Sequence, residues 1–250
     1  MFRRRATWYT AALIVLTGVV LALEGGRYGA EYMSVAPRRR RLKIVMFSTP
    51  NIVDQYAGLA AEINELYARR HGYEFEHVVE DVTPVGDRTE MMWRCVDVIN
   101  DAMRDVTVDG VFYIDSDAVF QDHSQPLDWL FDIPDGHIVG SSDKPNGPYY
   151  INAGVVFVRN SSRGRALATA WRAMKNDRKY HRFAYEQQAL HDLARREGYR
   201  GIVSLPAETM NSIKAHLDQG RRDTFILHMM GASSEQRAAE FRALRAKLVS

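Results

Sequence analysis

The chain has 250 residues, 46% hydrophobic, 26% charged and 10% aromatic. These proportions exclude a mainly disordered, collagen-like or multi-pass membrane chain, and the single cysteine excludes a disulfide framework or a zinc site built on several thiolates. The net charge of +2 hides a division: residues 1–43 hold nine Arg and Lys against two Glu, and the rest hold 24 basic against 29 acidic residues, so a general nucleic-acid-binding surface is not expected.

Met1–Arg5 carries three arginines, and Ala6 to Leu23 is uncharged. Eighteen residues at about 1.5 Å each span roughly 27 Å, enough to cross a thin bilayer. Trp8 and Tyr9 stand where an interfacial aromatic belt would. The pattern predicts a cytoplasmic tail (1–5), a signal anchor (6–23) and a stem (24–41), giving a single-pass type II membrane protein. A cleaved signal peptide and a buried helix are the alternatives. Arg38–Arg41 reads as a solvated basic cluster or as an attraction to anionic headgroups or an acidic partner.

Leu42–Ser48 is a compact apolar run closed by Ser48-Thr49-Pro50, a buried strand and a turn. Asp54 to Arg70 has helical periodicity, ended by His71-Gly72. Tyr73–Val79 alternates as a second strand, and Arg88 to Met103 is a second helix. Gly110–Ile114 is a third strand that runs directly into Asp115-Ser116-Asp117. His137–Gly140 and Ile151–Val158 are further strands. Gly164–Lys175 and Tyr185–Arg196 read as helices, and Ile202–Leu205 and Phe225–Leu227 as late strands. Ser234–Leu248 is a terminal helix with Ser233 and Gln236 spaced for a capping box. The alternation predicts a single α/β domain over residues 42–250, with a mixed, mainly parallel sheet flanked by helices. Ligands of such sheets bind outside the carboxyl ends of strands, which puts Ser48, Thr49, Asp115, Asp117 and the residues after Leu227 at one rim.

Asp115 and Asp117 lie between the apolar runs Val111–Ile114 and Ala118–Phe120. Two carboxylates so placed are costly to bury without compensation. A divalent cation with hard oxygen ligands, magnesium or manganese, is the natural one. The alternative is a surface turn whose aspartates cap a helix. Residues 80–143 hold fifteen acids and three bases, and 144–250 hold nine acids and nineteen bases. An acidic rim facing a basic half suits a metal-bound, phosphate-bearing ligand. His228, at the end of a late strand, is either a third ligand or a structural histidine. Gly231 would let the backbone approach a phosphate.

Asp115-Ser116-Asp117 resembles the DxD motif of nucleotide-sugar glycosyltransferases of the type A fold. Four other segments resemble the Golgi galactosyl/xylosyltransferase family of that fold. These are Tyr67–Tyr73, Ile151-Asn152-Ala153-Gly154-Val155 with Arg159-Asn160-Ser161, Glu186-Gln187-Gln188-Ala189-Leu190, and His228-Met229-Met230-Gly231. They occur in the family's order across residues 42–235. Where the family often has a lysine after a tryptophan, this chain has Arg94 and Cys95 after Trp93.

The resemblance implies a type A fold and metal-dependent, retaining transfer of a hexose or pentose from a nucleotide-diphosphate sugar, with a UDP-sugar favoured, to a hydroxyl of a glycan or glycoconjugate. Asp115, Asp117 and His228 would hold Mn2+ or Mg2+. Ser48, Thr49, Arg94, Asp115, Ser116, Gly154 and Gly231 would contact the donor. Glu186, Gln187, Asn152 and Asp143 would surround the sugar and the acceptor hydroxyl. In a eukaryote the catalytic domain would face the Golgi or ER lumen. Two other functions fit the aspartate pair: a phosphatase of the haloacid-dehalogenase type using Asp115 and Asp117, or an inactive membrane-anchored glycosyltransferase-like binding protein.

Overall fold

A central sheet of six strands carries the chain's apolar runs, in the order β2-β1-β3-β6-β5-β7. The strands are β1 (Leu42–Ser48), β2 (Glu74–Val79), β3 (Gly110–Asp115), β5 (Ile138–Ser142), β6 (Ile151–Arg159) and β7 (Ile202–Leu205). β4 (Ala118–Phe120) and β8 (Ile226–His228) form a separate antiparallel pair. The helices are α1 (Gly58–His71), α2 (Thr89–Ala102), α3 (Ser162–Ala173), α4 (Tyr185–Arg196) and α5 (Ser234–Leu248). The computed structural model describes residues 38–82, 88–142, 150–212 and 224–249. The chain divides into two units between Arg38 and Arg39, and all these elements belong to the second. Among the described residues no helix is long and apolar enough to cross a membrane; the 6–23 stretch lies outside them.

β1, β3 and β6 read as apolar runs because both faces of the sheet are covered there, while the edge strand β2 alternates. In β1, Leu42, Ile44 and Met46 join one core, while Val45 and Phe47 join the other. In β3, Phe112 and Ile114 share the first core, and Val111 and Tyr113 the second. The first core takes α1, α5 and the small β4–β8 sheet. The second takes α2, α3 and α4, with Trp93 and Trp171 fully buried in it.

Five of the six strands run parallel, and β6 alone runs against its neighbours β3 and β5. This reversal carries functional weight. It brings the N-terminal end of β6, Asn152-Ala153-Gly154, beside the carboxyl end of β3, where Ile114 stands opposite Val155. The mixed, mainly parallel sheet of the sequence reading is therefore what forms.

Local chemistry sets the helix ends. α1 stops at Gly72, which takes φ +65, a conformation that glycine adopts without penalty. Gly72 N donates to Arg69 O at 3.2 Å and Tyr73 N to Ala68 O at 2.8 Å, the two bonds of a Schellman cap. α5 opens with the expected capping box: Ser233 accepts from Gln236 N, and the Gln236 side chain accepts from Ser233 N. The basic run before β1 is engaged in the fold. Arg41 pairs with Glu74 at 2.7 Å, and Arg40 lies over the Phe131 ring.

Asn64, on α1, holds the small sheet to the first core. It is fully buried, its amide donates to Ala118 O at 3.1 Å, and its carbonyl accepts from Phe120 N at 3.0 Å. The edge of β4 is thus paired by a side chain instead of a strand. Asn64→Ala leaves a donor and an acceptor of β4 unsatisfied, each costing about 1–3 kcal/mol. The expected loss is about 2–4 kcal/mol, seen as a thermal midpoint several degrees lower. An unchanged midpoint would show that the β4 edge does not depend on this residue.

Candidate active site

The carboxyl end of β3 delivers Asp115, the following turn delivers Ser116 and Asp117, and the chain then enters β4. β8 runs antiparallel to β4 with His228 opposite Ala118, and Met229 N donates to Asp117 O at 2.8 Å. This pairing, across 110 residues of sequence, sets the imidazole beside the aspartates. One ligand atom from each of Asp115, Asp117 and His228 can be chosen so that all lie within 4.8 Å of one another. His228 Nε2 is 3.1 Å from Asp117 Oδ1 and 3.9 Å from Asp115 Oδ2.

Neighbouring groups orient each member. Tyr113 donates its hydroxyl to Asp115 Oδ1 at 2.8 Å. Arg237, from α5, donates to Asp117 Oδ2 at 2.8 Å. His228 Nδ1 faces Asn211 Oδ1 at 3.0 Å. An Nδ1–H donated there leaves the Nε2 lone pair facing the aspartates, the arrangement that metal-binding histidines use. His228 N also donates to Ser212 Oγ at 2.7 Å. The bare Cα of Gly154 completes the cradle. A Cβ at this position would collide with Asp115 Oδ2 and come within 2.9 Å of His228 Cε1.

The titration directions reflect this crowding. Burial, followed by the charge of Asp117, pushes Asp115 above the usual carboxylate range. Burial pushes the same way at Asp117, but the charge and hydrogen bond of His228, joined by Arg237, hold it below that range. At His228 burial favours the neutral ring, and the two aspartates overcome it, so its pKa is raised. Two carboxylate oxygens and an imidazole nitrogen, converging and short of positive charge, are a donor set suited to a hard divalent cation.

Two cavities meet at this cluster and share Met92, Asp115, Asp117 and Glu186 as walls. The first, about 580 Å³, opens toward the β1 side and is lined by Ser48, Thr49, Tyr56, Ser116, Arg88 and Arg237 among others. The second, about 420 Å³, is lined by Asn152, Gly154, Gln187, His228, Gly231 and Phe183 among others. The structure thus brings together nearly every site residue expected from the sequence. Ser48 Oγ lies 2.7 Å from His77 Nε2, and Thr49 immediately precedes the helical turn Pro50–Ile52. Asn152 Oδ1 accepts from Gly154 N at 2.9 Å. Gln187 Oε1 accepts from Ala153 N at 3.1 Å, tying α4 to β6. Gly231 sits at φ +72. Asp143 lies outside the described residues.

Arg94 does not join them, which corrects the expectation of a donor contact there. Its guanidinium is bound to Glu80 through two hydrogen bonds of 2.7 and 2.5 Å and lies 3.6 Å from Asp101. The face of α2 that meets the first cavity carries Met91, Met92 and Cys95, with Arg88 just before the helix. Arg94 is about 100° around the helix from its neighbour Cys95. Cys95 is a buried free thiol.

Glu186 is a third, strongly perturbed acid at the site. Only 7% exposed, it leaves Oε2 without a hydrogen-bond partner among the described residues. Burial, with the charge of Asp115 adding to it, pushes its pKa up to about 8. Its backbone carbonyl accepts from Trp171 Nε1 at 2.8 Å, which fixes the start of α4.

Arg237, Arg88, Tyr56 and Asn211 escaped the sequence reading. Arg237 lies nine residues beyond His228 and just past the capping box, and nothing local marks it. Its guanidinium stacks over the Tyr56 ring at 4.9 Å. Tyr56 belongs to a π-helical turn, Val53–Ala57, that leads into α1, and such turns concentrate at functional sites.

Two measurements test these assignments. Removing the partner of His228 Nδ1 with Asn211→Ala is expected to weaken Mn2+ binding about 10- to 100-fold by calorimetry; unaltered affinity would mean that His228 is oriented without it. The second concerns Glu186. Its folded pKa exceeds the ordinary 4.5, so between that value and about 8 the folded chain keeps a proton that the unfolded chain has released. The stability contribution is intact below this window and is lost as pH rises through it. Midpoints measured across the window should fall more steeply for the natural chain than for Glu186→Gln, and parallel curves would refute a raised pKa.

Comparison with known proteins places these features. The sequence matches the galactosyl transferase GMA12/MNN10 family over residues 50–133, roughly a third of the chain. No curated protein matches it in sequence. Among solved structures it is similar to a glycosyltransferase involved in the glycosylation of the major capsid of PBCV-1, at 21% identity and a TM-score of 0.70 over 81% of this chain and 99% of that one. It is also similar to the glycosyltransferase GlyE of Streptococcus pneumoniae TIGR4, at 13% identity and a TM-score of 0.53, covering 84% of this chain and 63% of GlyE. The matched family segment ends beyond β4 and so includes Asp115 and Asp117. With the family's sequence running through its aspartate pair and a type A fold around it, the chain is a glycosyltransferase.

Proposed function

We propose that the enzyme transfers a hexose or pentose from a nucleotide-diphosphate sugar, with a UDP-sugar the favoured donor, to a hydroxyl of a glycan or glycoconjugate, with retention at the anomeric carbon. The observation that carries this reading is the position of Asp115, Asp117 and His228 on the wall between two cavities. That wall is where a diphosphate would lie, with its nucleoside in the first cavity and its sugar in the second. Retention rests on the family resemblance.

Asp115, Asp117 and His228 would hold Mn2+ or Mg2+. When bound, such a cation supplies Lewis-acid neutralisation of the departing nucleotide diphosphate. The protein's own groups do the rest. Ser48 and Thr49 line the cavity on the nucleoside side. Arg237, held between Asp117 and the Tyr56 ring, offers a fixed positive charge to the diphosphate. Gly231, with positive φ, lets the backbone come close to it. In the transfer, the bond from the anomeric carbon to the diphosphate oxygen breaks with its electron pair going to the diphosphate. A new bond forms from that carbon to the acceptor oxygen, and the acceptor's proton leaves with the nucleotide diphosphate. Gln187 and Asn152, both tied to the start of β6, line the space for the sugar. Glu186 faces the same space as a carboxyl that is neutral near pH 7 and can carry or release a proton there.

The uncharged segment 6–23, preceded by three arginines, supports a type II anchor with a luminal catalytic domain, in the Golgi or ER if the source is eukaryotic. The test uses the full chain with a panel of nucleotide sugars. We expect Mn2+-dependent release of the nucleotide diphosphate, abolished by excess chelator and reduced at least a hundredfold by Asp117→Ala. Turnover unaffected by chelator would sink the metal-dependent reading, and full activity in Asp117→Ala would sink the site.

A further inference from the structure

Phe183 is 93% exposed, more than any other large hydrophobic side chain among the described residues. A lone exposed apolar side chain is ordinary. This one is not isolated, because it lines the second cavity, whose other residues include Asp115, Asp117, His228 and Glu186.

The segment that presents Phe183 is fastened on both sides. Before it, Tyr180 is buried and packs edge-on against Trp93 with ring centroids 6.5 Å apart. Trp93 Nε1 donates to Tyr180 O at 3.3 Å, and the Tyr180 hydroxyl donates to Asp192 Oδ2 at 3.1 Å. His181 Nε2 lies 2.7 Å from Lys175 O. After it, Tyr185 N donates to Arg182 O at 2.7 Å, and α4 begins with Glu186 in its first turn. Tyr185 holds φ +47, an uncommon conformation for a side chain of that bulk. The protein therefore fixes an aromatic ring in water at the rim of its reaction space, although burying that ring would be favourable.

We propose that Phe183 is the stacking platform for the acceptor, receiving the apolar C–H face of a sugar ring. This rests on the proposed glycosyl transfer. That reading gives the donor sugar the inner part of the second cavity, beside Asn152, Gly154 and Gln187, which leaves the rim to the second substrate. A sugar ring presents hydroxyls at its edge and C–H groups on its face. A flat apolar ring above a polar cavity complements both, and places an acceptor hydroxyl toward Glu186 and the aspartates. The same exposed ring with basic neighbours could instead enter a lipid interface, and the test separates the two.

The experiment uses the full chain with UDP, Mn2+ and a panel of p-nitrophenyl glycosides, followed by saturation-transfer NMR and by transfer kinetics. Phe183→Ala is expected to raise the KM for the best glycoside about tenfold, with donor KM within about twofold, and to weaken its NMR saturation. Phe183→Trp should keep both near the natural values. Equal glycoside KM and equal saturation in Phe183→Ala would overturn the proposal. So would an unchanged glycoside KM accompanied by loss of binding to phosphatidylserine vesicles, which would assign the ring to a membrane. If the natural chain binds glycosides but turns over no nucleotide sugar, the enzymatic reading fails, and the NMR comparison alone still supports or overturns the platform.

Discussion

Two aspartates and a histidine converge within 4.8 Å, and like charges so close must be compensated by whatever surrounds them. The chain answers from several directions. Tyr113 donates to Asp115 from the same strand, Arg237 reaches Asp117 from the last helix, and His228 arrives on a strand that exists only by pairing with β4. Even so, Asp115 stays above the usual range and Asp117 below it. That split marks a site in which protein groups alone satisfy one carboxylate better than the other. A divalent cation between them would remove the imbalance, and a phosphate-bearing ligand would complete its shell.

The reversed strand β6 makes this convergence possible. In an all-parallel sheet its N-terminal residues would lie at the opposite edge from Asp115. Running antiparallel, it places Asn152, Ala153 and Gly154 at the carboxyl edge, within reach of the first turn of α4 through the Gln187 to Ala153 bond. Gly154 is then obligatory for steric reasons, since any side chain there would displace Asp115 and press on His228. The fold and the site are linked at this single position.

Much of this was legible because it follows from local rules. β1 and β3 show as apolar runs since both faces are buried, and their ends mark the rim. The Gly72 cap and the Ser233–Gln236 box are short-range chemistry, and both form as spaced. The aspartates and His228 were readable because each follows directly on an apolar strand. Other features depend on long-range geometry that carries no local signal. The β4–β8 pairing joins segments 110 residues apart. Arg237 and Asn211 matter through what they face, not through any pattern of their own. Arg94 shows the converse. It stands beside the expected tryptophan, yet one step along a helix turns a side chain by about 100°, and it meets Glu80 instead of the cavity.

Glu186 gives the site its asymmetry. It shares cavity walls with Asp115 and Asp117 but is buried deeper and has no cationic side chain beside it among the described residues, so its carboxyl is neutral near pH 7 while Asp117 is charged. Acid groups pushed apart in this way take different roles. In the proposed transfer the aspartates would present charge to a cation and a diphosphate. Glu186 presents a proton, or a carboxylate once that proton has left, to the face where a sugar would pass from donor to acceptor. Its placement in the first turn of α4, three residues after Phe183, makes Glu186 and the rim of the cavity neighbours in the chain. The tether from Trp171 to the Glu186 carbonyl then holds the start of α4 against α3, so that an acceptor seated on the rim would meet a carboxyl whose backbone is fixed.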